Sequence, residues 1–214
     1  MTPGALPIQE AYTQWSATYD SDRNLTRDLD QQVTQASLAA LHCHTLVELG
    51  CGTGKNTALL AQIGRRVCAL DFSVGMLGQA KEKLAADNVT FTLADLTRPW
   101  PCARASVDLI VCNLVLEHIQ DLAFIFAEAA HTLASRGRFF ICELHPFRQY
   151  QGSQATYSRG QVAIPIQAFV HHLSDFIAAA EAQQLALSQL KEWWHADDQN
   201  QPPRLVSLMF EKRA

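Results

Sequence analysis

The sequence predicts an α/β protein with a mostly parallel central sheet that is covered by helices on both faces. The first observation is the alternation of short apolar segments with helical segments from residue 45 onward. Strands and helices that alternate in this way form right-handed crossovers, which produce a parallel, doubly wound sheet. The second observation is the length of 214 residues, which is typical of one domain with a core large enough to fold without disulfides.

Five parallel strands and three crossover helices are expected in the first two thirds of the chain. The helical segment at 122–133 carries apolar residues at helical spacing, and Gly137 then turns the chain into the next strand. The expected strands are 45–49, 66–71, 89–93, 107–112 and 138–142, and the expected helices are 53–63, 74–86 and 122–133.

The end of the chain predicts a further helix and an antiparallel hairpin. Residues 168–184 carry an apolar helical face, and two β-like segments follow at 185–194 and 204–210. The segment between them, 197–203, is rich in turn residues, so the two strands are expected to pair as a hairpin at the sheet edge. The prediction is therefore a seven-stranded sheet.

Composition and charge argue against several classes of partner. The net charge is −4, from 17 basic and 21 acidic residues, and no basic run is longer than Arg65-Arg66, which disfavours a nucleic-acid partner. The longest apolar run, 122–127, is too short to span a membrane, and the first residues lack the features of a secretory signal. The six cysteines include no C-x-x-C pair, so we expect reduced thiols in a cytoplasmic protein with no metal.

A loop with three alternating glycines follows the first predicted strand. Gly50, Gly52 and Gly54 end that strand and open the next helix, where glycine permits unusual dihedrals and a close approach of backbone to a ligand. A phosphate-binding Walker loop is excluded, because Leu49 stands in place of its first glycine and Asn56 in place of its Ser or Thr. The dinucleotide fingerprint G-x-G-x-x-G fails in both possible frames.

The segment Glu48-Leu49-Gly50-Cys51-Gly52-Thr53-Gly54 resembles the first motif of the class I S-adenosylmethionine-dependent methyltransferases. Later segments resemble the family's further motifs in the same order: Asp71 ends the second strand, Ala94-Asp95-Leu96 follows the third, and Asn113 to His118 follows the fourth. The resemblance covers roughly residues 40–145 and implies a Rossmann-like fold, S-adenosyl-L-methionine as cofactor and S-adenosyl-L-homocysteine as product.

The resemblance also implies roles for individual residues in cofactor binding. It implies that Asp71 binds the ribose hydroxyls and that Asp95 binds the adenine amino group. The alternatives are that Asp71 caps the following helix, that Asp95 is a turn residue and that Phe72 and Met76 belong to the core. The expected cofactor-binding residues are Tyr19, Glu48, Gly50, Cys51, Gly52, Gly54, Asp71, Phe72, Met76, Asp95, Leu96, Asn113 and Leu114.

The acceptor side is expected near the ends of the fourth and fifth strands. His118 and His145 follow these strands and have a side chain that titrates near neutrality, so they are the candidate catalytic residues. For each, the alternative is a polar residue satisfied at a strand–helix junction. The candidate substrate-binding residues lie in the N-terminal segment and in the polar stretch after the fifth strand, and they are Tyr12, Trp15, Arg148, Tyr150 and Tyr157.

We therefore expect a single methyltransferase domain over residues 1–214 that acts on a small-molecule acceptor through an N, O or S atom. Its expected parts are an N-terminal helical lid (1–44), a cofactor-binding core (45–144), a substrate loop (145–166) and a C-terminal helix with the hairpin (167–214). The alternatives are a nucleic-acid or protein methyltransferase and a non-catalytic S-adenosylmethionine-binding protein. Against the nucleic-acid alternative, Asn113 is not followed by the Pro-Pro-Tyr that amino-directed nucleic-acid enzymes of this fold usually carry.

Overall fold

Seven strands form one sheet that is parallel except for one strand near its end. The computed structural model describes residues 7–159 and 162–213. Its strands are β1 (Cys43–Leu49), β2 (Gly64–Asp71), β3 (Val89–Leu93), β4 (Val107–Asn113), β5 (Leu133–Leu144), β6 (Thr156–Arg159), β7 (Val162–Pro165), β8 (Leu185–Trp193) and β9 (Leu205–Lys212).

The strand order in the main sheet is β3-β2-β1-β4-β5-β9-β8. The five strands from β1 to β5 pair in parallel, whereas β9 is antiparallel to both of its neighbours, β5 and β8. The prediction of a doubly wound, mostly parallel seven-stranded sheet with a C-terminal antiparallel hairpin is confirmed.

Helices cover both faces of this sheet. Side chains of β4 alternate between two apolar clusters, with Ile110 in one and Leu109 in the other, and both are buried. The helices are α1 (Ile8–Trp15), α2 (Leu25–Leu38), α3 (Thr57–Ile63), α4 (Val74–Lys83), α5 (Leu122–Thr132), α6 (Pro146–Tyr150) and α7 (Leu173–Ala182), with a 3-10 turn at Leu116–His118. Side chains from α5 and α7 build the first cluster, and α2 and α3 build the second.

Several element boundaries differ from the sequence prediction. Helix α3 begins at Thr57 instead of Thr53, because Gly52 and Gly54 have φ angles of +54° and +82°, which are not helical. Strand β5 begins at Leu133, directly after α5, and a register shift precedes its main pairing with β4. The polar stretch after β5 is not an open loop, since it contains α6 and the small hairpin of β6 and β7. In the described part of the chain, no helix is long and apolar enough to cross a bilayer.

The N-terminal helix α1 packs on the start of α4 at a glycine. A Cβ atom on Gly75 would lie 2.6 Å from Ser16 Oγ and 3.0 Å from the Thr13 carbonyl oxygen, so the two helices meet without room for a side chain. Thr13 Oγ1 also forms a hydrogen bond of 2.9 Å with Ser73 Oγ. Gln9 Nε2 donates to the Phe72 carbonyl at 2.6 Å. These contacts hold α1 over the carboxyl ends of β1 and β2.

We expect Gly75→Ala to loosen this packing and to lower the free energy of unfolding by about 1–3 kcal/mol, the usual cost of overpacking. The matched control is Gly78→Ala on the same helix, where a Cβ atom meets nothing within 4 Å. There the substitution is expected to stabilise the helix by about 0.5–1 kcal/mol, because alanine is the better helix former. Urea unfolding measures both, and equal effects of the two substitutions would contradict the close contact.

Candidate functional site

A cavity of about 320 Å³ opens at the carboxyl ends of the first four strands, under helix α1. Its walls are mostly apolar, with polar groups placed where each strand ends. The lining residues are Ile8, Gln9, Tyr12, Tyr19, Gly50, Gly52, Asp71, Phe72, Met76, Ala94, Asp95, Leu96, Thr97, Asn113, Leu114, Val115, His118 and Ile119. We call it the first cavity.

The glycine loop forms one wall of the first cavity. At Gly50, with φ +67°, a Cβ atom would lie 2.2 Å from Val115 Cγ2, so only glycine permits this approach of the loop to the end of β4. At Gly52, with φ +54°, a Cβ atom would meet nothing within 4 Å. A side chain there would therefore project into open space that a ligand can use.

Asp71 joins the glycine loop to the start of α4. Its side chain is 5% exposed, Oδ2 accepts a 2.8 Å bond from the Gly52 amide, and Oδ1 accepts a 2.8 Å bond from the Ser73 amide. Burial raises the pKa of this carboxyl, while hydrogen bonds from the backbone oppose the rise. The cap of α4 is Ser73, whose Oγ accepts from the Met76 amide, so Asp71 is not the helix cap. Each oxygen of Asp71 retains a second lone pair for a ligand.

Asp95 combines the two alternatives considered for it. It lines the first cavity, and its Oδ1 also accepts from the Thr97 amide at 2.9 Å and from the Thr97 hydroxyl at 2.7 Å. It is therefore a turn residue whose position is fixed beside the cavity.

Tyr12 and His118 form a hydrogen-bonded pair where α1 meets the 3-10 turn after β4. Nδ1 of His118 lies 2.8 Å from the Gln167 carbonyl oxygen, which can only accept, so Nδ1 carries the proton. Nε2 is then the acceptor for the Tyr12 hydroxyl, at 2.7 Å. Burial lowers the pKa of His118, which keeps the ring neutral. Its one free lone pair is thus already engaged by Tyr12.

A second cavity of about 350 Å³ lies on the other side of Tyr12, between α1, α2 and the stretch after α6. Tyr12, Tyr19 and Leu114 line both cavities, so the two spaces meet at these three side chains. The lining residues are Tyr12, Trp15, Tyr19, Asn24, Thr26, Arg27, Leu114, Glu117, Leu144, Arg148, Gly152, Ser153, Gln154, Ala155, Thr156 and Arg204.

Glu48 and Cys51 line a third, small cavity of about 50 Å³ beside the glycine loop, together with Asp30 and Asn113. Glu48 is buried, its Oε2 accepts a 2.6 Å bond from the Thr57 hydroxyl, and burial raises its pKa to about 8. Tyr19, Gly50, Gly52, Asn113 and Leu114 line this cavity as well as the first. The small cavity thus continues the first one toward the interior.

His145 is not placed at any of these cavities. Its Nδ1 accepts from the Phe147 amide at 3.1 Å and caps the short helix α6, while its Nε2 lies 3.0 Å from Oε1 of Glu192 on strand β8. The expectation of a catalytic His145 is therefore corrected, because both ring nitrogens serve the packing of α6 against the hairpin. This is the alternative of a satisfied junction residue.

Three other expected site residues also lie outside the three cavities. Tyr150 is 55% exposed, and its hydroxyl bonds Nδ1 of His172. Tyr157 is buried in an apolar cluster with Trp15, where it supports α1. Gly54 packs against α4, with its Cβ position 3.3 Å from Ala80. Tyr150 and Tyr157 are thus corrected as substrate residues, and Gly54 shapes the loop rather than contacting a ligand.

Trp15 and Tyr19 pack against each other, although α1 ends at Trp15 and Tyr19 lies beyond it. Their ring centroids are 4.7 Å apart, because the Tyr19 amide still bonds the Trp15 carbonyl in a helical turn.

Three residues that were not expected from the sequence also line the second cavity: Arg27, Arg204 and Glu117. Arg27 and Arg204 come from α2 and from the hairpin, and no local pattern marks either as part of a site. For Glu117, one feature of the sequence indicated a possible site residue, which is its position next to His118 after the fourth strand. Its carboxyl is buried, Oε2 makes no hydrogen bond to the described residues, and burial raises its pKa to about 7.

Glu143 on β5 holds the 3-10 turn that carries Glu117 and His118. Its Oε1 accepts from the amides of Val115 and Leu116, each at 2.9 Å. The side chain is 3% exposed, and burial raises its pKa to about 8.

Comparisons with known proteins show similarity to methyltransferases. A family model described as a methyltransferase domain matches residues 47–141. An uncharacterized methyltransferase of Emericella nidulans is 30% identical over 80% of this chain and 73% of its own length. The biotin biosynthesis bifunctional protein BioHC of Cellvibrio japonicus is 35% identical over 65% of this chain. A malonyl-[acyl-carrier protein] O-methyltransferase of Yersinia pestis is 33% identical over 56% of this chain. The chain spans only 27% and 44% of the lengths of these last two relatives.

Solved structures share the fold at low sequence identity. An S-adenosylmethionine-dependent methyltransferase from Mesorhizobium loti matches with a TM-score of 0.72 and 17% identity, over 88% of this chain and 100% of that one. The N-methyltransferase NodS from Bradyrhizobium japonicum, in complex with S-adenosyl-L-homocysteine, matches with a TM-score of 0.72 and 15% identity, over 98% of this chain and 100% of that one.

The buried Glu143 predicts a pH dependence of stability. Its carboxyl is protonated in the folded chain up to a pH of about 8 but ionises near its ordinary pKa when unfolded. The stability that protonated Glu143 contributes is therefore present at low pH and is lost as the pH rises toward 8. Glu143→Gln cannot ionise, so its unfolding free energy relative to the wild type should increase across this range.

Urea unfolding at a series of pH values measures this difference, and Glu82→Gln on the exposed side of α4 is the control. A difference between Glu143→Gln and the wild type that stays constant with pH would contradict the assignment.

Proposed function

Since the chain belongs to the class I S-adenosylmethionine-dependent methyltransferases, we propose that it is an active enzyme with donor and acceptor in adjoining cavities. S-adenosylmethionine binds in the first cavity and its small extension, and a small-molecule acceptor binds in the second. The observation that carries this proposal is the shared wall of Tyr12, Tyr19 and Leu114. Methyl transfer needs the two reactants in line and in contact, and two cavities that meet at one point provide this arrangement.

The first cavity suits this donor better than a phosphate-containing cofactor. Asp71 and Asp95 line it, and no Lys or Arg is found among its described lining residues. Arg27 and Lys55 line the small extension beside the glycine loop instead. A pyrophosphate would meet carboxylates instead of cations, but ribose hydroxyls and a positively charged sulfonium are favoured beside them. Because a Cβ atom at Gly52 would meet nothing within 4 Å, the backbone at Gly52 is open to the close approach of such a ligand.

When bound, S-adenosylmethionine supplies a methyl group that is already activated by its sulfonium sulfur. The residues of the chain then have three tasks. Asp71 accepts from the ribose hydroxyls and Asp95 from the adenine amino group. Tyr19 and Leu114 bound the junction of the cavities, and α1 covers it as a lid that excludes water.

Glu117 is the group that we assign to proton transfer on the acceptor side. Its Oε2 has no hydrogen-bond partner, it lines the second cavity, and its pKa of about 7 suits a base near neutrality. His118 is poorly suited to this role, because its lone pair accepts from Tyr12 and burial lowers its pKa. We therefore propose His118 as a positioning residue for Tyr12. An acceptor atom that carries no proton needs no base at all.

Size and charge favour a small molecule over a nucleic acid or a protein as acceptor. The second cavity of about 350 Å³ suits a compound of modest size. The net charge of −4 gives no general attraction for a phosphate backbone.

Calorimetric titration tests the proposal. We expect binding of S-adenosylmethionine and S-adenosylhomocysteine and no binding of NADH. Tight binding of NADH, or no binding of either adenosyl compound by the folded chain, would refute the donor assignment.

The first variant to test is Asp71→Asn, which should weaken S-adenosylhomocysteine by about 10- to 100-fold. The reason is the loss of a charge-assisted acceptor worth about 1.5–3 kcal/mol. Calorimetry measures the affinity, and Asp87→Asn, the same change at an exposed position after α4, should leave it unaltered. Unchanged affinity in folded Asp71→Asn would remove Asp71 from the donor site.

The glycine loop gives a second test through a matched pair of glycines. Gly52 and Gly152 have φ angles of +54° and +86°, and a Cβ atom on either meets nothing within 4 Å. Alanine at each position should therefore cost a similar amount of stability, about 1–2 kcal/mol. Only Gly52→Ala should also weaken S-adenosylhomocysteine, because its methyl group enters the first cavity. Equal donor affinity in the two variants would show that the loop does not contact the donor.

A further inference from the structure

The second cavity has an excess of positive charge among its described lining residues. Three guanidinium groups line it, those of Arg27, Arg148 and Arg204. Two of them, Arg148 and Arg204, share the carboxylate of Asp198, which is buried and lies 3.1 Å from Arg148 Nη2 and 2.8 Å from Arg204 Nε. Burial alone would raise the pKa of Asp198, but hydrogen bonds from Arg204 and the His195 amide hold it at about 2. Asp198 therefore offsets one of the three positive charges, and Glu117, the one acidic residue among the described residues that line the cavity, offsets a second only when it is ionised.

Arg27 lines both the second cavity and the small third cavity, and it forms no ion pair with a carboxylate of the described residues. It is 8% exposed, and its guanidinium donates to the carbonyl oxygens of Tyr19 and Asp22, which are neutral. Its Cζ atom stacks 4.0 Å from the centroid of the Tyr19 ring and 5.2 Å from that of Trp15. A cation that is buried against aromatic rings without a carboxylate partner is costly, unless a ligand supplies the counter-charge.

The polar contacts of Arg148 and Arg204 hold their guanidinium groups in place at the cavity wall. Arg148 Nη2 donates to the Pro202 carbonyl at 2.8 Å, and Arg204 Nη1 donates to the Thr26 hydroxyl at 3.1 Å. Each guanidinium has five N–H donors, so both retain donors that these bonds do not use. Pre-positioned guanidinium groups beside aromatic rings are well suited to a planar anion with an apolar body.

We propose that the second cavity binds an acceptor through an anionic group, a carboxylate or a phosphate, held by Arg148, Arg204 and Arg27. Trp15 and Tyr12 pack on the apolar part of the same molecule. The inference rests on the proposed function only in naming this ligand as the methyl acceptor. The anion site itself follows from the charges on the wall.

Three probes with the same ring separate the possible chemistries: phenylacetate, phenyl phosphate and neutral phenylacetamide. Each is titrated by calorimetry into the full chain, with and without saturating S-adenosylhomocysteine, which blocks the first cavity. We expect at least one anion to bind about tenfold or more tightly than the amide, and this preference to weaken at high salt. The tighter of the two anions identifies the group as carboxylate or phosphate. Equal binding of anions and amide, or binding of none, would overturn the proposal.

Variants locate the effect in the second cavity. Arg148→Gln should reduce the preference for the anion about tenfold, and Arg148→Lys should restore part of it by returning the charge. The matched control is Arg23→Gln, since Arg23 is 81% exposed and pairs with Asp197 at the surface. An equal loss in Arg23→Gln and Arg148→Gln would show a general charge effect and would contradict a site.

The two proposals fail in different ways. If S-adenosylhomocysteine does not bind, the methyltransferase function fails, while the titrations without it still report on the anion site. If S-adenosylhomocysteine binds and the anions are not preferred, only the anion inference fails.

Discussion

The carboxylate of Asp71 is the contact on which the arrangement of the first cavity depends. It accepts one amide from the glycine loop after β1 and one from the start of α4 after β2, each at 2.8 Å. Two segments that belong to different crossovers are thereby fixed to one buried charge. The first cavity opens between them, and α1 covers it by packing on the same end of α4 at Gly75. The first cavity and the helix that covers it are therefore both held by the start of α4.

Buried acids recur at this end of the sheet. Glu48 and Glu143 are held by neighbouring donors, and burial raises the pKa of each to about 8. Such groups are costly in a core, and a protein that kept only stability would replace them with apolar side chains. Their hydrogen bonds instead fix the end of β1 to the start of α3 and the end of β5 to the turn after β4, beside the cavities. These buried acids thus lower the stability of the fold but fix the backbone beside the cavities.

The sequence was sufficient for the fold and for most residues that line the first cavity, because both depend on local patterns. Strand alternation predicts the parallel sheet, and the glycine loop with Asp71 and Asp95 identifies residues that the structure places along one cavity. The second cavity depends on pairings between distant parts of the chain instead. His145 turns away because Glu192 on β8 binds it, and Arg204 reaches the second cavity beside Thr26, 178 residues earlier in the chain. No local spacing carries that information, so His145 was expected at the site and Arg204 was not.

We propose that the donor lies in the first cavity, with its ribose on Asp71 and its sulfur directed at the junction of the two cavities. A crystal structure of the chain with S-adenosylhomocysteine tests this claim most directly. We expect the ribose oxygens within hydrogen-bond distance of the Asp71 carboxylate, and the sulfur beside Tyr19 and Leu114, facing the second cavity. Adenosylhomocysteine bound in the second cavity, or bound in the first with its sulfur directed away from Tyr19 and Leu114, would contradict it.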